Sequence, residues 1–192
     1  MKKNTKGRVW SFIAYPESVP NDWERILSEN LNLKWARSPL HDSDLNADDT
    51  QKKSHWHIVL VFECVKSYEQ ILTISKKING TNPQQVHNFK GLLRYFIHLD
   101  NPEKAQYEIK DIYSNGINVE QEILGTSDYE EKIEDEIIEI IEKYDFVEYW
   151  DLITFLKMEY KEHKRYAAKH TIFFNACLKS RRYRKMNPLK NI

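Results

Sequence analysis

The run His55-Trp56-His57-Ile58-Val59-Leu60-Val61-Phe62 constrains this chain more than any other stretch. It is β-branched and aliphatic, free of glycine and proline, and reads as a buried strand. Side chains alternate across a strand, so His55 and His57 fall on one face and Trp56 on the other. Two imidazoles side by side on a rigid element are a ready pair of metal ligands. Upstream, His41-Asp42-Ser43-Asp44 adds a third imidazole and two carboxylates in a turn-prone setting. Three histidines and an aspartate suit a borderline divalent ion, manganese first, then magnesium or zinc. A lone H-x-H is more often structural than functional; a neighbouring H-D-x-D shifts the balance toward a site.

The chain has 192 residues, the length of one ordinary domain or one with a small appendage. Its 29 Lys and Arg balance its 29 Asp and Glu, which argues against indiscriminate coating of nucleic acid. The charges are segregated, however: residues 128–148 are acidic and residues 161–190 basic. Cys64 and Cys177 lie in or beside apolar stretches without metal-binding spacing, and read as buried thiols in a reducing compartment. Residues 9–14 are too short for a signal core and no apolar run approaches membrane-spanning length. The expectation is a cytoplasmic protein with no membrane partner.

In chain order, residues 8–15 suit a first strand covered on both sides and stopped by Pro16. Asn21 with Glu24 suggests a capping box for a helix over residues 22–30, with Trp23, Ile26, Leu27 and Leu31 as its apolar stripe. Residues 33–37 suit a second strand, and a polar loop containing Asn46, Asp48, Asp49, Lys52 and Lys53 leads to the histidine strand. Ser67 with Gln70 caps a second helix carrying Ile71, Leu72, Ile74 and Ile78, and Gly80 stops it. Residues 83–89 suit a strand, 91–99 a helix and 105–112 a further strand or extended segment. This order implies an α+β fold, an antiparallel sheet with helices packed on one side. From about Gln121 the pattern is helical only, with stripes Ile133-Ile137-Ile140-Ile141, Tyr149-Leu152-Ile153-Leu156 and Ala167-Thr171-Phe174-Leu178. The boundary is placed near Gly125, giving domains over residues 1–124 and 125–192.

The helix over 91–99 holds Arg94-Tyr95-Phe96-Ile97-His98, with Leu92, Phe96 and Leu99 as its expected buried face. Tyr95 falls at the edge of that face, its ring packed and its hydroxyl free to reach a neighbouring site. A metal held by imidazoles and a carboxylate, facing a tyrosine, suits attack of a phenolate on a phosphodiester. A nearby base, the metal field or Arg94 would have to help the proton leave, and the residues do not choose among them.

With H-D-x-D, H-W-H and the Tyr95 helix in this order, the chain resembles the HUH endonuclease family. The likeness is closer to single-tyrosine rolling-circle replication initiators of small bacterial plasmids. The motifs that carry it are YPES at residues 15–18, DWE at 22–24, SPLHDSD at 38–44, KSHWHIV at 53–59 and NFKGLLRYFIH at 88–98. The tail HTIFFNACLKSRRYR at 170–184 is similar as well. The resemblance implies that His41, Asp44, His55 and His57 hold Mn2+ or Mg2+ and that Tyr95 is the nucleophile. The family pattern favours the carboxylate at H-x-x-D over Asp42, and Trp56 is bulkier than the usual aliphatic residue between the histidines. Gly91 and Leu99, four residues either side of Tyr95, fit the single-tyrosine group.

The implied activity is an origin-specific single-strand nick that leaves a 5′-phosphotyrosyl bond and a 3′-hydroxyl primer, followed by a second strand transfer. The implied fold is a ferredoxin-like or RNA-recognition-like sheet with the histidine strand central. The alternative reading is a non-catalytic origin- or RNA-binding module with a structural metal. Single- and double-stranded plasmid origin DNA are the expected partners, with Lys52, Lys53, Arg94, Arg181, Arg182 and Arg184 as candidate contacts. The helices after residue 125 are expected to serve homo-oligomerisation, DNA binding or both. No G-x-x-x-x-G-K-[ST] is present, so a host helicase and a host polymerase would supply unwinding and synthesis.

Overall fold

A computed structural model describes residues 6–29, 33–46, 48 and 50–186. Leu31 and Asp49 lie outside the described residues. The chain divides into two compact units, residues 1–123 and 124–192.

The first unit runs β1 (Lys6–Ala14), α1 (Trp23–Ser28), β2 (Lys34–Arg37), β3 (Trp56–Ser67), α2 (Tyr68–Lys77), β4 (Gln84–Gln85) and α3 (Phe89–Phe96). A one-turn 3-10 helix (Ile109–Asp111), β5 (Tyr113–Asn115) and α4 (Val119–Leu124) complete it. The sheet order is β4-β1-β3-β2-β5 with antiparallel pairing throughout. The histidine strand is therefore central, hydrogen-bonded on both edges, and the mixed α+β class is as expected.

The helices are not confined to one side of the sheet. Trp10, Phe12, Ala14, Trp35, Ile58, Leu60 and Phe62 form one core with Trp23 and Leu27 of α1 and Ile71 and Ile78 at α2. The opposite face, with Ala36 and Val59 buried and Val9 and Val61 partly so, packs on Leu93, Phe96 and Ile97, and on Val119 and Ile123 of α4. β1 to β3 are apolar on both faces, and burying one alone would leave Val59 and its neighbours in water. Strand alternation then decides the site: Trp56 joins the first face, while His57 is turned toward α3.

Several local expectations shift. Glu24 does not close a capping box on α1; its Oε1 accepts from Arg37 Nε at 2.6 Å, and Asp22 becomes the cap residue without a side-chain cap bond. The Ser67–Gln70 box on α2 is complete. The left-handed turn after α2 falls on Asn79 (φ 54°), whereas Gly80 is needed for closeness, because a Cβ there would sit 2.7 Å from the Phe12 ring. The strand expected over 83–89 shrinks to two residues, because the Asn88 side chain accepts from Gly91 N–H at 2.8 Å and caps α3 two residues earlier than expected. Residues 105–112 hold the 3-10 turn rather than a strand, and β5 follows them. Leu99 lies past the end of α3 and is exposed, its expected place in the core taken by Leu93 and Ile97. Cys64 is exposed on the outer part of β3 and Cys177 half-buried, so neither is a core thiol.

The second unit holds α5 (Thr126–Lys143), α6 (Tyr149–Glu159), α7 (Lys161–Lys169) and α8 (Thr171–Met186) around Ile133, Ile137, Ile141, Leu152, Leu156 and Phe174. The stripe from Ala167 to Leu178 is two helices rather than one. Tyr149 Oη donates to Ala167 O at 3.0 Å, occupying the carbonyl that a continuous helix would offer to the Thr171 N–H. The acidic α5 turns inward to its own unit: Tyr166 Oη donates to Glu134 at 2.9 Å, and His163 Nε2 lies 2.6 Å from Glu136. No helix among the described residues is long and apolar enough to cross a membrane.

Candidate metal and tyrosine site

The loop between β2 and β3 extends their ladder. His41 and His55 exchange both backbone bonds, N–H to O at 2.9 and 3.2 Å, and Leu45 bridges Gln51. Directly opposed residues of such a pair project to the same side, which brings the His41 ring beside those of His55 and His57. The ring centroids stand 5.4 Å (His41–His55), 5.0 Å (His41–His57) and 4.9 Å (His55–His57) apart. Ser38 fixes the register, its Oγ accepting from His57 N–H at 3.0 Å.

Ligand nitrogens of His41, His55 and His57 lie within 4.8 Å of one another. A second such group shares His41 and adds Asp44 and His98. The four ligands expected from the sequence are thus divided by the His41 ring, with Asp44 behind it. His98, absent from that set, completes the rear group. The backbone explains its place: α3 ends at Phe96, His98 takes a left-handed φ of 54°, and its Nδ1–H donates to Ala105 O at 2.7 Å. That bond turns Nε2 inward, to 3.7 Å from Asp44 Oδ2.

The hydrogen bonds of the donor set fix which ring nitrogens can ligate. A carbonyl only accepts, so His41 carries its proton on Nε2, 2.8 Å from Phe96 O, and its Nδ1 lone pair faces Asp44 Oδ2 at 3.7 Å. His55 likewise donates Nδ1–H to Lys53 O at 2.8 Å, which makes Nε2 its ligand nitrogen. His41 Nδ1, Asp44 Oδ1, His57 Nε2 and His98 Nε2 are all buried without a hydrogen-bond partner. Converging lone pairs in a buried space repel one another unless a cation lies among them, so the residues fit a divalent ion. Burial, opposed by the Phe96 bond, lowers the His41 pKa from 6.5 to about 4. Burial and then the neighbouring imidazoles lower that of His57 to about 3. Both rings are neutral at pH 7, the form that binds metal.

Tyr95 stands on the last turn of α3 with its ring 5.3 Å from that of His57 and 5.1 Å from that of His98, edge-on to each. Tyr95, His55 and His57 line one open cleft of about 370 Å³ with Tyr15, Lys52 and Lys53. Lys104, which no motif marks, brings its Nζ 3.1 Å from Tyr95 Oη and 4.5 Å from the ring centre. Arg94 does not reach that hydroxyl; its Nε donates to Asp100 Oδ2 at 2.8 Å. Tyr107, another residue without a motif to mark it, stacks on His41 at 4.7 Å with its hydroxyl buried. Lys53 pairs with Glu17 and sits 4.6 Å over the Tyr15 ring. In the second unit Arg181 bonds Asp145 at 2.8 Å and Arg182 pairs with Glu148, while Arg184 lines a small cleft between α5 and α8.

Residues 2–120 match the family described as plasmid replication protein, origin binding domain. A replication protein of Staphylococcus aureus is 39% identical over 155 residues, covering 80% of this chain and 77% of the relative. The replication protein RepB of Lactiplantibacillus plantarum is 38% identical over 151 residues, 75% of this chain and 68% of its own. That of Streptococcus agalactiae is 30% identical over 164 residues, 79% and 77% of the two chains. The chain therefore belongs to the plasmid replication proteins, an initiator whose residues 2–120 form an origin binding domain.

Proposed function

We propose that this initiator nicks and rejoins one strand of its plasmid origin through a covalent bond to Tyr95, as a single-tyrosine HUH-type endonuclease. The observation that carries the reading is the shared cleft, in which Tyr95 lies edge-on to His57 beside His55. In the forward step Tyr95 Oη attacks phosphorus, the bond from phosphorus to the 3′ oxygen breaks, and that oxygen takes up a proton as the tyrosine loses one. One phosphoester replaces another, so the free 3′-hydroxyl can prime synthesis and the bond energy is kept for rejoining. Held by His41, His55 and His57, with Asp44 behind the His41 ring, Mn2+ or Mg2+ would withdraw charge from the non-bridging oxygens of the phosphodiester.

Lys104 supplies a positive charge at the oxygen that turns anionic, within 3.1 Å. Lys52 and Lys53, lining the same cleft, are suited to the phosphates flanking the scissile one. Arg94 is held by an exposed carboxylate and would have to exchange Asp100 for a phosphate to touch DNA. The nicked origin would then be handed to a host helicase and polymerase.

The test is incubation with single-stranded DNA carrying the cognate origin, in Mn2+. A cleaved product with a protein-linked 5′ end is expected from the wild type and from Tyr15→Phe, and none from Tyr95→Phe. Cleavage that persists in Tyr95→Phe would assign the reaction to another nucleophile and overturn the reading.

A further inference from the structure

The basic residues of the C-terminal unit divide into two sets with different surroundings. On α8, Arg181 and Lys185 are bonded to Asp145, and Arg182 to Glu148. On α6 and α7, Lys157, Lys161, Lys164, Arg165 and Lys169 line an open cleft of about 590 Å³ together with Ala168. Among the described residues none of these five side chains has an ion-pair or hydrogen-bond partner.

The helical period explains the segregation. Lys161, Lys164, Arg165 and Ala168 recur at i, i+3, i+4 and i+7 and share one face of α7. The other face carries His163 and Tyr166, which occupy Glu136 and Glu134 of α5. Glu162 is taken up by Tyr129, and Glu159, exposed at the end of α6, does not line the cleft. Glu134, Glu136 and Glu162 are thus engaged elsewhere, and no carboxylate lines the cleft that the five cations share. Like charges around one cleft repel, and a polyanion relieves that repulsion while releasing its own counterions.

We infer that the α6–α7 cleft is a second DNA-backbone contact of this initiator, taking the phosphates of duplex DNA without reading its sequence. The inference rests on membership of an origin-binding family and not on nicking. Duplex rather than single-stranded DNA is the occupant because the lining has no aromatic ring. Single-strand grooves depend on aromatic platforms for the unpaired bases, whereas a duplex offers its phosphates alone.

The experiment measures binding of the full-length protein to a random-sequence duplex by fluorescence anisotropy across a range of salt. Each phosphate neutralised contributes about 0.9 to the slope of log K against log salt. Replacing Lys157, Lys161, Lys164, Arg165 and Lys169 together by Gln is expected to lower that slope by roughly 3 to 4 and the affinity about 100-fold at low salt. Arginine at the four lysine positions should restore both. Should the fivefold variant lose helix content, Lys161→Gln and Lys164→Gln singly should each lower the slope by about 1. An unchanged slope would overturn the inference, including where sedimentation shows that the substitutions break self-association, since the cleft would then serve an acidic protein surface. A slope change confined to a single-stranded probe would overturn the duplex assignment.

Discussion

Lys104 Nζ stands 3.1 Å from the hydroxyl oxygen of Tyr95 and 4.5 Å from the centre of its ring. The ammonium is placed where negative charge develops as the tyrosine gives up its proton, and again when the tyrosine leaves phosphorus in the rejoining step. Preorganised donors at such atoms are worth a few kcal/mol in transition-state stabilisation. Lys104→Met should therefore slow single-turnover nicking on the order of 10- to 100-fold, with Lys104→Arg retaining most of the rate and DNA binding little altered. An unchanged rate in Lys104→Met would remove this residue from the chemistry.

The two donor groups that meet at His41 predict graded metal affinity. Calorimetric titration with Mn2+ should show His57→Ala weakening binding by more than about 100-fold, beyond the range of an outer-shell loss. His98→Gln, in the rear group, should weaken it less, within the roughly 10- to 100-fold range of outer-shell partners. Equal affinity in wild type and His57→Ala would place the ion elsewhere.

Stability of the metal-free protein should fall in mild acid. The folded protein holds His41 at about 4 and His57 at about 3, in both cases chiefly by burial, against 6.5 for an exposed imidazole. Between these values the unfolded chain binds protons that the native state refuses, so stability is complete above about pH 6.5 and declines as pH falls toward 4 and then 3. Urea midpoints measured in chelator should drop between about pH 7 and about pH 5, less steeply in His57→Gln. A midpoint independent of pH over that range would contradict the burial described for these rings.

The complete capping box at Ser67 gives a structural control remote from DNA. Ser67→Ala should lower stability by about 1 kcal/mol in urea melts and leave nicking unchanged. A loss of nicking without a loss of stability would show that α2 reaches the site by a route not described above.

What could be read from residues alone was whatever neighbours in sequence decide. The Ile58–Phe62 run dictates a strand, its period of two puts His57 opposite Trp56, and Ser67 with Gln70 is a cap written in four residues. The faces of the sheet were harder: Val59 and Val61 signal burial but not which helix covers them, and α3 does so only because Asn88 caps it early. His98 and Lys104 escaped because their positions depend on one backbone turn. The left-handed φ at His98 and its bond to Ala105 fold residues 98–105 back over Tyr95, and no periodicity announces that closure. On α8 the basic strip looked free for DNA until its carboxylate partners Asp145 and Glu148, more than thirty residues away, came into view.

Mass spectrometry of the protein–DNA adduct addresses the central claim most directly. After cleavage of cognate origin DNA in Mn2+, nuclease and protease digestion should leave one peptide bearing a 5′-linked nucleotide, with the modification on Tyr95. A nucleotide found on Tyr15 or Tyr107, or cleavage without any adduct, would contradict the account.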